Sequence, residues 1–114
     1  KRNHQRDFTY IDDVADITTK ILNKKKHSKN NIYNIGNNKP IKLSRLINLI
    51  EKKLNLKIKK KLLPFQKGDV VKTYANITKT KNDFNYNPKE NIETGLSKFI
   101  KWYKGYNNIF DDIK

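Results

Sequence analysis

The sequence has no cysteine and no methionine, and only three arginines and four glycines among 114 residues. The absence of cysteine excludes disulfides, thiolate nucleophiles and zinc–sulfur sites, and we expect an intracellular, cytoplasmic setting. No apolar run approaches the roughly 20 residues that a membrane helix needs, so we predict no membrane partner. The length allows one domain, and a chain that starts at Lys1 without methionine is expected to be a piece of a longer protein.

The charge is strongly basic, with 26 Lys and Arg against 11 Asp and Glu and a formal net charge of +15. Such a charge raises nucleic acid as a partner, because lysines that neutralise phosphates release counterions. However, 23 of the basic residues are lysine, and 16 Asn and 14 Ile accompany them, as A/T-rich coding sequence produces. Base-reading proteins depend on the forked arginine side chain. We therefore predict no specific nucleic-acid partner and keep a basic nucleic-acid-binding module as the alternative function.

The spacing of apolar residues predicts three to four helices and several short strands, which is an α/β or α+β-like organisation. The first helix is predicted to begin at Asp12 as its N-cap and the second at Ser44, and the later ones to span Thr78–Phe84 and about Asn91–Tyr106. Extended segments are predicted at residues 7–11, 31–35, 56–63 and 70–75. Residues 1–106 are expected to form the domain and residues 107–114 a frayed tail.

Three helices have apolar stripes at helical spacing, and these stripes are expected to face the core. The residues are Val14, Ile17, Ile21 and Leu22 in the first helix, Leu46, Ile47, Ile50 and Leu54 in the second, and Ile92, Leu96, Phe99, Ile100 and Tyr103 in the last.

Catalytic and cofactor motifs are absent from the sequence. The glycines at positions 36, 68, 95 and 105 are too far apart for a glycine-rich phosphate loop. No tyrosine is followed four residues later by lysine, so the Tyr-x-x-x-Lys pair of short-chain dehydrogenases is missing. His4 and His27 are isolated and lack metal-ligand spacing. We therefore predict no catalytic residue, no cofactor-binding residue and no metal ligand within this chain.

Four segments, in order, resemble extended short-chain dehydrogenase/reductases of the NAD-dependent epimerase/dehydratase family. Residues 6–14, RDFTYIDDV, resemble the family's R-D-[FY]-x-[YH]-[IV]-x-D segment, and residues 33–36, YNIG, resemble its Y-N-[IL]-G strand end. Residues 63–70, LPFQKGDV, followed by TYA at 73–75, are similar to L-P-M-Q-x-G-D-V…T-x-A-D of UDP-glucuronate 4-epimerases. Residues 92–103 resemble the closing helix of that subfamily. The sequence departs from the pattern at Lys67, where proline is frequent, and at Asn76, where aspartate is usual and could cap a helix.

The resemblance implies the C-terminal, substrate-binding lobe of an epimerase whose Rossmann domain is missing from this chain. The parent enzyme would bind NAD in that domain, remove a hydride from C4 of a UDP-sugar, and return it to the other face. The catalytic residues would lie in the missing part, so this chain alone is expected to be inactive. The implied partners are the UDP-sugar and the Rossmann domain, and the parent is expected to be a homodimer.

Six residues match substrate-binding positions of the family, and all but Gln66 have a structural alternative. Arg6 matches an arginine that contacts the diphosphate, the alternative being an ion pair with Asp7 or Asp12. Asp69 matches a carboxylate that accepts ribose hydroxyls, the alternative being a turn aspartate. The remaining candidates are Phe8 near the uridine or in the core, and Gln66 near the ribose or phosphate. Asn37 and Asn38 match a strand end where the family approaches the uracil mainly with its backbone, but plain turn chemistry is the favoured interpretation.

Two other functions remain open. A related nucleotide-sugar dehydratase or decarboxylase would share the lobe and differ in the reaction. An independent scaffold protein would unfold cooperatively in isolation, whereas a lobe is expected to be marginally stable because surfaces meant for a second domain would be exposed.

Overall fold

The computed structural model describes residues 4–24, 31–61, 63–64 and 67–111. Within these residues the chain forms four helices and a sheet of two very short strands, so it is richer in helix than the predicted α/β pattern. The elements, in chain order, are β1 (Gln5–Arg6), α1 (Ile11–Asn23), β2 (Ile41–Lys42), α2 (Leu43–Leu54), α3 (Thr78–Phe84) and α4 (Ile92–Asp111). No described helix combines the length and the apolar composition required to cross a bilayer.

The sheet brings three distant segments together. β1 pairs with β2 in antiparallel fashion, with Arg6 opposite Ile41. On its other side, the amide of Gln5 donates to Val71 O at 2.8 Å and Thr73 donates back to Gln5 O at 3.2 Å. The predicted extended segment 70–75 is therefore held parallel to β1 by a single bridge.

Three predicted strands are wrong in position or in kind. The first lies at Gln5–Arg6, just before the predicted range 7–11. Residues 31–35 form no strand, and Ile32 is 86% exposed. The Ile32 carbonyl accepts a hydrogen bond from Lys79 Nζ, and the Asn34 carbonyl accepts one from Thr80 Oγ1. Side chains of α3 thus replace the neighbouring strand. The described part of residues 56–63 also forms no strand.

The helix boundaries differ from prediction at three of the four helices. Helix α1 begins at Ile11 with Tyr10 as N-cap, so Asp12 is not the cap but a first-turn acidic residue, where it faces the positive end of the helix dipole. Helix α2 begins one residue before Ser44. Helix α3 has the predicted bounds, and Asn76 Oδ1 accepts the Thr78 amide at its start, so asparagine supplies the contact that the departure from aspartate put in doubt.

The last helix begins one residue after Asn91, whose side chain accepts the Thr94 amide at 2.9 Å. It was predicted to end near Tyr106 but continues to Asp111. Residues 107–111 are therefore helical rather than frayed, and residues 112–114 lie outside the described part of the chain.

The buried apolar core is small. Among the described residues, Ile17, Ile77 and Tyr86 are buried, and Ile21, Ile35, Ala75 and Phe84 pack against them. The predicted inward faces are only partly covered: Leu22 is 77% exposed, and Phe99 and Tyr103 are about half exposed, because no described segment covers them. The Cα radius of gyration is 17.8 Å, against about 13 Å for a compact domain of this length.

Buried polar contacts supplement this core. Asp13 is only 4% exposed and accepts the amides of Lys89 and Glu90 at 2.9 and 3.0 Å, which ties α1 to the segment before α4. The Tyr86 hydroxyl donates to Gly36 O at 2.9 Å. Burial, with the carboxylates of Asp13 and Asp7, raises the pKa of Tyr86, so this hydroxyl remains a donor at neutral pH.

Gly36 is held where no side chain fits, and this gives a stability prediction. A Cβ at this position would lie 2.5 Å from Ala75 Cβ and 2.7 Å from Asp7 Oδ2. We expect Gly36→Ala to lower the free energy of unfolding by about 1–3 kcal/mol through overpacking. In Gly105→Ala, the matched control, the new Cβ meets no atom within 4 Å and should stabilise α4 by up to about 1 kcal/mol. Urea unfolding measures the stability of both variants. If Gly36→Ala were no less stable than Gly105→Ala, the close packing at Gly36 would be contradicted.

Candidate functional site

The candidate site is a cleft of about 570 Å³ between the sheet, α2 and two loop segments. It is lined by His4 and Arg6 at β1, by Leu43, Ser44, Ile47 and Asn48 of α2, by residues 58–61, and by Asp69. β1 pairs with β2, which leads directly into α2, and the chain after Asp69 runs beside β1, so the sheet positions every wall except the segment 58–61.

Arg6 and Asp69 meet in this cleft, although 63 residues separate them in the chain. Arg6 Nη2 donates to Asp69 Oδ1 at 2.8 Å, and Arg6 Nη1 donates to the carbonyls of Gln5 and Val70, each at 2.9 Å. The alternative partners Asp7 and Asp12 are not used by Arg6. The fold thus brings Arg6 and Asp69 into direct contact, and their role in binding remains a prediction.

His4 is a cleft residue to which sequence analysis assigned no role. Its Nε2 lies 3.1 Å from Asp69 Oδ2, and its side chain is only 14% exposed. The signal that could have found it is strand periodicity, since residues two apart on an extended strand share a face. His4 and Arg6 therefore approach the same carboxylate, one at each oxygen.

A lysine-rich segment forms the basic wall of the cleft. Lys59, Lys60 and Lys61 line it, and Glu51 of α2 holds the segment by accepting the Ile58 amide at 2.9 Å and binding Lys60 Nζ at 3.0 Å. Both contacts lower the pKa of the Glu51 carboxyl, and the hydrogen bond from the Ile58 amide has the larger effect. The carboxyl therefore stays charged at neutral pH. Lys59, Lys60 and Lys61 therefore add positive charge to the cleft that Arg6 lines.

Phe8 lies in a different place. It lines a second, mainly apolar cleft of about 330 Å³ with Tyr10 and residues of α2 and α4, among them Leu46 and Leu96. It is not among the residues that line the Arg6–Asp69 cleft. The structure therefore places Phe8 outside the Arg6–Asp69 cleft, and its contact with a uridine remains a prediction.

Asn37 and Asn38 form the turn after Gly36, and this turn is organised by Asp7. The Asp7 carboxylate accepts the amides of Asn37, Asn38 and Lys39 at 3.0–3.2 Å, and the Ala75 amide at 3.0 Å. Neither main-chain amide of the pair is therefore left for a nucleobase. Sequence analysis missed this role of Asp7 because its four donors lie about 30 or more residues away.

The two asparagine side chains differ in exposure. Asn37 is 6% exposed, and its Nδ2 donates to the carbonyls of Phe8 and Glu90 at 3.3 and 3.1 Å, which is structural turn chemistry. Asn38 has a φ of 54° and an exposed side chain. Their contact with a ligand remains a prediction, and Gln66 lies outside the described residues.

Comparison with protein families gives one match, which covers the first third of the chain. The model described as the NAD dependent epimerase/dehydratase family matches residues 1–36. The matched range includes Arg6, Asp7 and the turn glycine at position 36, which are the residues that organise the candidate site and its supporting turn.

Relatives and solved structures extend the similarity over most of the chain. An uncharacterised protein of Methanocaldococcus jannaschii is 50% identical over 101 residues, covering 89% of this chain and 30% of its own. UDP-glucuronate 4-epimerase 5 of Arabidopsis thaliana is 42% identical over 113 residues, covering 89% and 26%. The structure of UDP-glucuronic acid 4-epimerase from Bacillus cereus, in complex with UDP-glucuronic acid and NAD, has a TM-score of 0.77 at 30% identity, covering 85% and 31%. The chain thus spans about 30% of the length of these proteins.

Proposed function

Because the chain belongs to the NAD-dependent epimerase/dehydratase family, we propose that it is the nucleotide-sugar-binding lobe of an enzyme that inverts C4 of UDP-glucuronate. The observation that carries the proposal is the meeting of Arg6 and Asp69 in one basic cleft. A guanidinium presents a fork of donors that suits diphosphate oxygens, and a carboxylate accepts hydroxyl protons from a ribose. The similarity to proteins named UDP-glucuronate 4-epimerase supports the choice of sugar.

Binding would redistribute the contacts of Arg6 without moving its anchor. The two bonds from Nη1 to Gln5 O and Val70 O hold the guanidinium at the sheet, while Nη2 faces Asp69. A diphosphate oxygen would take over Nη2, and the Asp69 carboxylate would then accept ribose hydroxyls. The ammonium groups of Lys59 and Lys61 would also attract the phosphates, but as point charges they would not fix the orientation of the phosphates.

The chain's own residues do not fit NAD. A dinucleotide needs a glycine-rich turn that lets the backbone approach its diphosphate. Here the space beside Gly36 is filled by Ala75 and Asp7, and Gly95 lies within α4 against the Tyr10 ring. The cofactor would therefore bind to a part of the enzyme outside this chain, so no step through NAD is derived from the residues present.

A second domain is also the proposed partner of the exposed apolar side chains. Leu22 and Ile32 are 77% and 86% exposed, and the second half of α4 carries Phe99, Trp102, Tyr103 and Tyr106 at the surface. Burial of such side chains contributes about 25 cal/mol per Å². The open shape and the small core support a lobe that is completed by a Rossmann domain, in a parent proposed to be a homodimer.

The test is the reaction of a protein that joins this chain to the remainder of its reading frame. We expect it to convert UDP-glucuronate into the C4 epimer, detected by the anomeric proton in NMR spectra, and we expect this chain alone to give no turnover. Release of carbon dioxide or loss of water from the sugar would contradict the proposed epimerase reaction, and the family assignment would still stand. No reaction with any UDP-sugar would overturn the proposal as a whole.

A further inference from the structure

The Asp69 carboxylate is shared between two basic side chains. Its Oδ1 accepts from Arg6 at 2.8 Å, and its Oδ2 lies 3.1 Å from His4 Nε2. The His4 side chain is 14% exposed, the Arg6 side chain 34% and the Asp69 side chain 40%, so the histidine lies deepest. One carboxylate therefore lies beside Arg6, which is always charged, and beside His4, which is charged only when it is protonated.

His4 differs from every other charged group that lines the cleft in the described part of the chain. The other charged side chains there are Arg6, Asp69 and Lys59–Lys61, of which Lys60 is paired with Glu51 of α2. The face of α2 towards the cleft contributes only uncharged residues, namely Leu43, Ser44, Ile47 and Asn48. Histidine is the side chain that changes its charge near neutral pH. Among the described residues that line the cleft, His4 is the only histidine.

We propose that His4 takes up a proton when a nucleoside diphosphate sugar binds, and that the resulting imidazolium holds Asp69 after Arg6 has turned to the phosphates. The inference rests on the proposed function of the cleft. In the free protein, Arg6 offsets the charge of Asp69. In the complex, Arg6 is occupied by phosphate, and two phosphate charges lie beside the carboxylate, so protonated His4 gains attraction. Because the complex favours the protonated form, binding strengthens as pH falls.

The probe is UDP-glucose, whose phosphates are both esterified and do not titrate near neutrality. With the protein that joins this chain to the rest of its reading frame, we expect affinity to rise about tenfold from about pH 8 to about pH 5.5. Calorimetry in two buffers of different ionisation enthalpy measures proton uptake directly and needs no variant. Uptake approaching one proton supports the proposal, and no uptake at any pH overturns it.

Two matched variants assign the proton. His4→Gln keeps a polar side chain beside Asp69 but cannot titrate, so the dependence on pH should disappear and affinity should stay near the high-pH value. His27→Gln removes the other histidine of this chain and should leave the dependence unchanged. A dependence that survives in His4→Gln overturns the proposal while the function of the cleft stands. If UDP-glucose and UDP-glucuronate bind at no pH, the proposed function fails, and this inference fails with it.

Discussion

Replacing Arg6 with lysine is expected to weaken UDP-glucuronate binding by about tenfold or more. Lysine keeps the positive charge but loses the fork, so it cannot hold Gln5 O and Val70 O and also face a diphosphate. Hydrogen bonds to charged groups contribute about 1.5–3 kcal/mol, and that range corresponds to the expected loss. Isothermal titration of the complete protein measures it.

The matched control is the same change at Arg45. This arginine lies on α2, pairs with Glu93 of α4 and is not among the residues that line the cleft. Arg45→Lys should leave UDP-glucuronate affinity within about twofold, because exposed pairs contribute about 1 kcal/mol or less to stability and this one touches no ligand. Equal affinity in the Arg6 and Arg45 variants would show that Arg6 does not bind the diphosphate.

Replacing Asp7 with asparagine is expected to cause the largest loss of stability. Each carboxylate oxygen accepts two main-chain amides, those of Asn37 and Lys39 at Oδ1 and those of Asn38 and Ala75 at Oδ2. Asparagine replaces one of these two oxygens with an NH2 group. This group is a donor, and it would face two main-chain amides that are also donors. We expect the free energy of unfolding to fall by about 2–4 kcal/mol.

Asp16 provides the matched control for this stability prediction. Its side chain is 63% exposed, and its contact with Lys89 Nζ is 3.9 Å long. Asp16→Asn should change the free energy of unfolding by no more than about 0.5 kcal/mol. Urea unfolding followed by circular dichroism compares the two variants. A loss in Asp7→Asn no greater than in Asp16→Asn would rule out Asp7 as the organiser of the turn.

Local signals predicted the helices better than the strands. Helix α3 was found with its exact bounds, because its start and its end at Asn85, in left-handed conformation, are set by neighbouring residues. A strand instead needs a partner strand that is distant in the sequence. In residues 31–35, the carbonyls of Ile32 and Asn34 bind side chains of α3 and not a neighbouring strand. The alternation of β-forming residues cannot show which partner is present.

The site was predictable only in part. The resemblance linked Arg6 to Asp69 across 63 residues, which no spacing rule could do, and the structure brings them together. It did not show that His4 would lie beside Asp69, because the predicted strand covered residues 7–11 and strand periodicity was therefore not applied to His4 and Arg6. Nor did it show that Phe8 would line another cleft, because that depends on how α2 and α4 pack.

The central claim is tested most directly by the crystal structure of the complete protein with UDP-glucuronate bound. The account predicts a phosphate oxygen within hydrogen-bond distance of Arg6 Nη2, in place of Asp69 Oδ1, with the ribose hydroxyls on the Asp69 carboxylate. A nucleotide sugar bound elsewhere, with the Arg6–Asp69 pair intact, would contradict it.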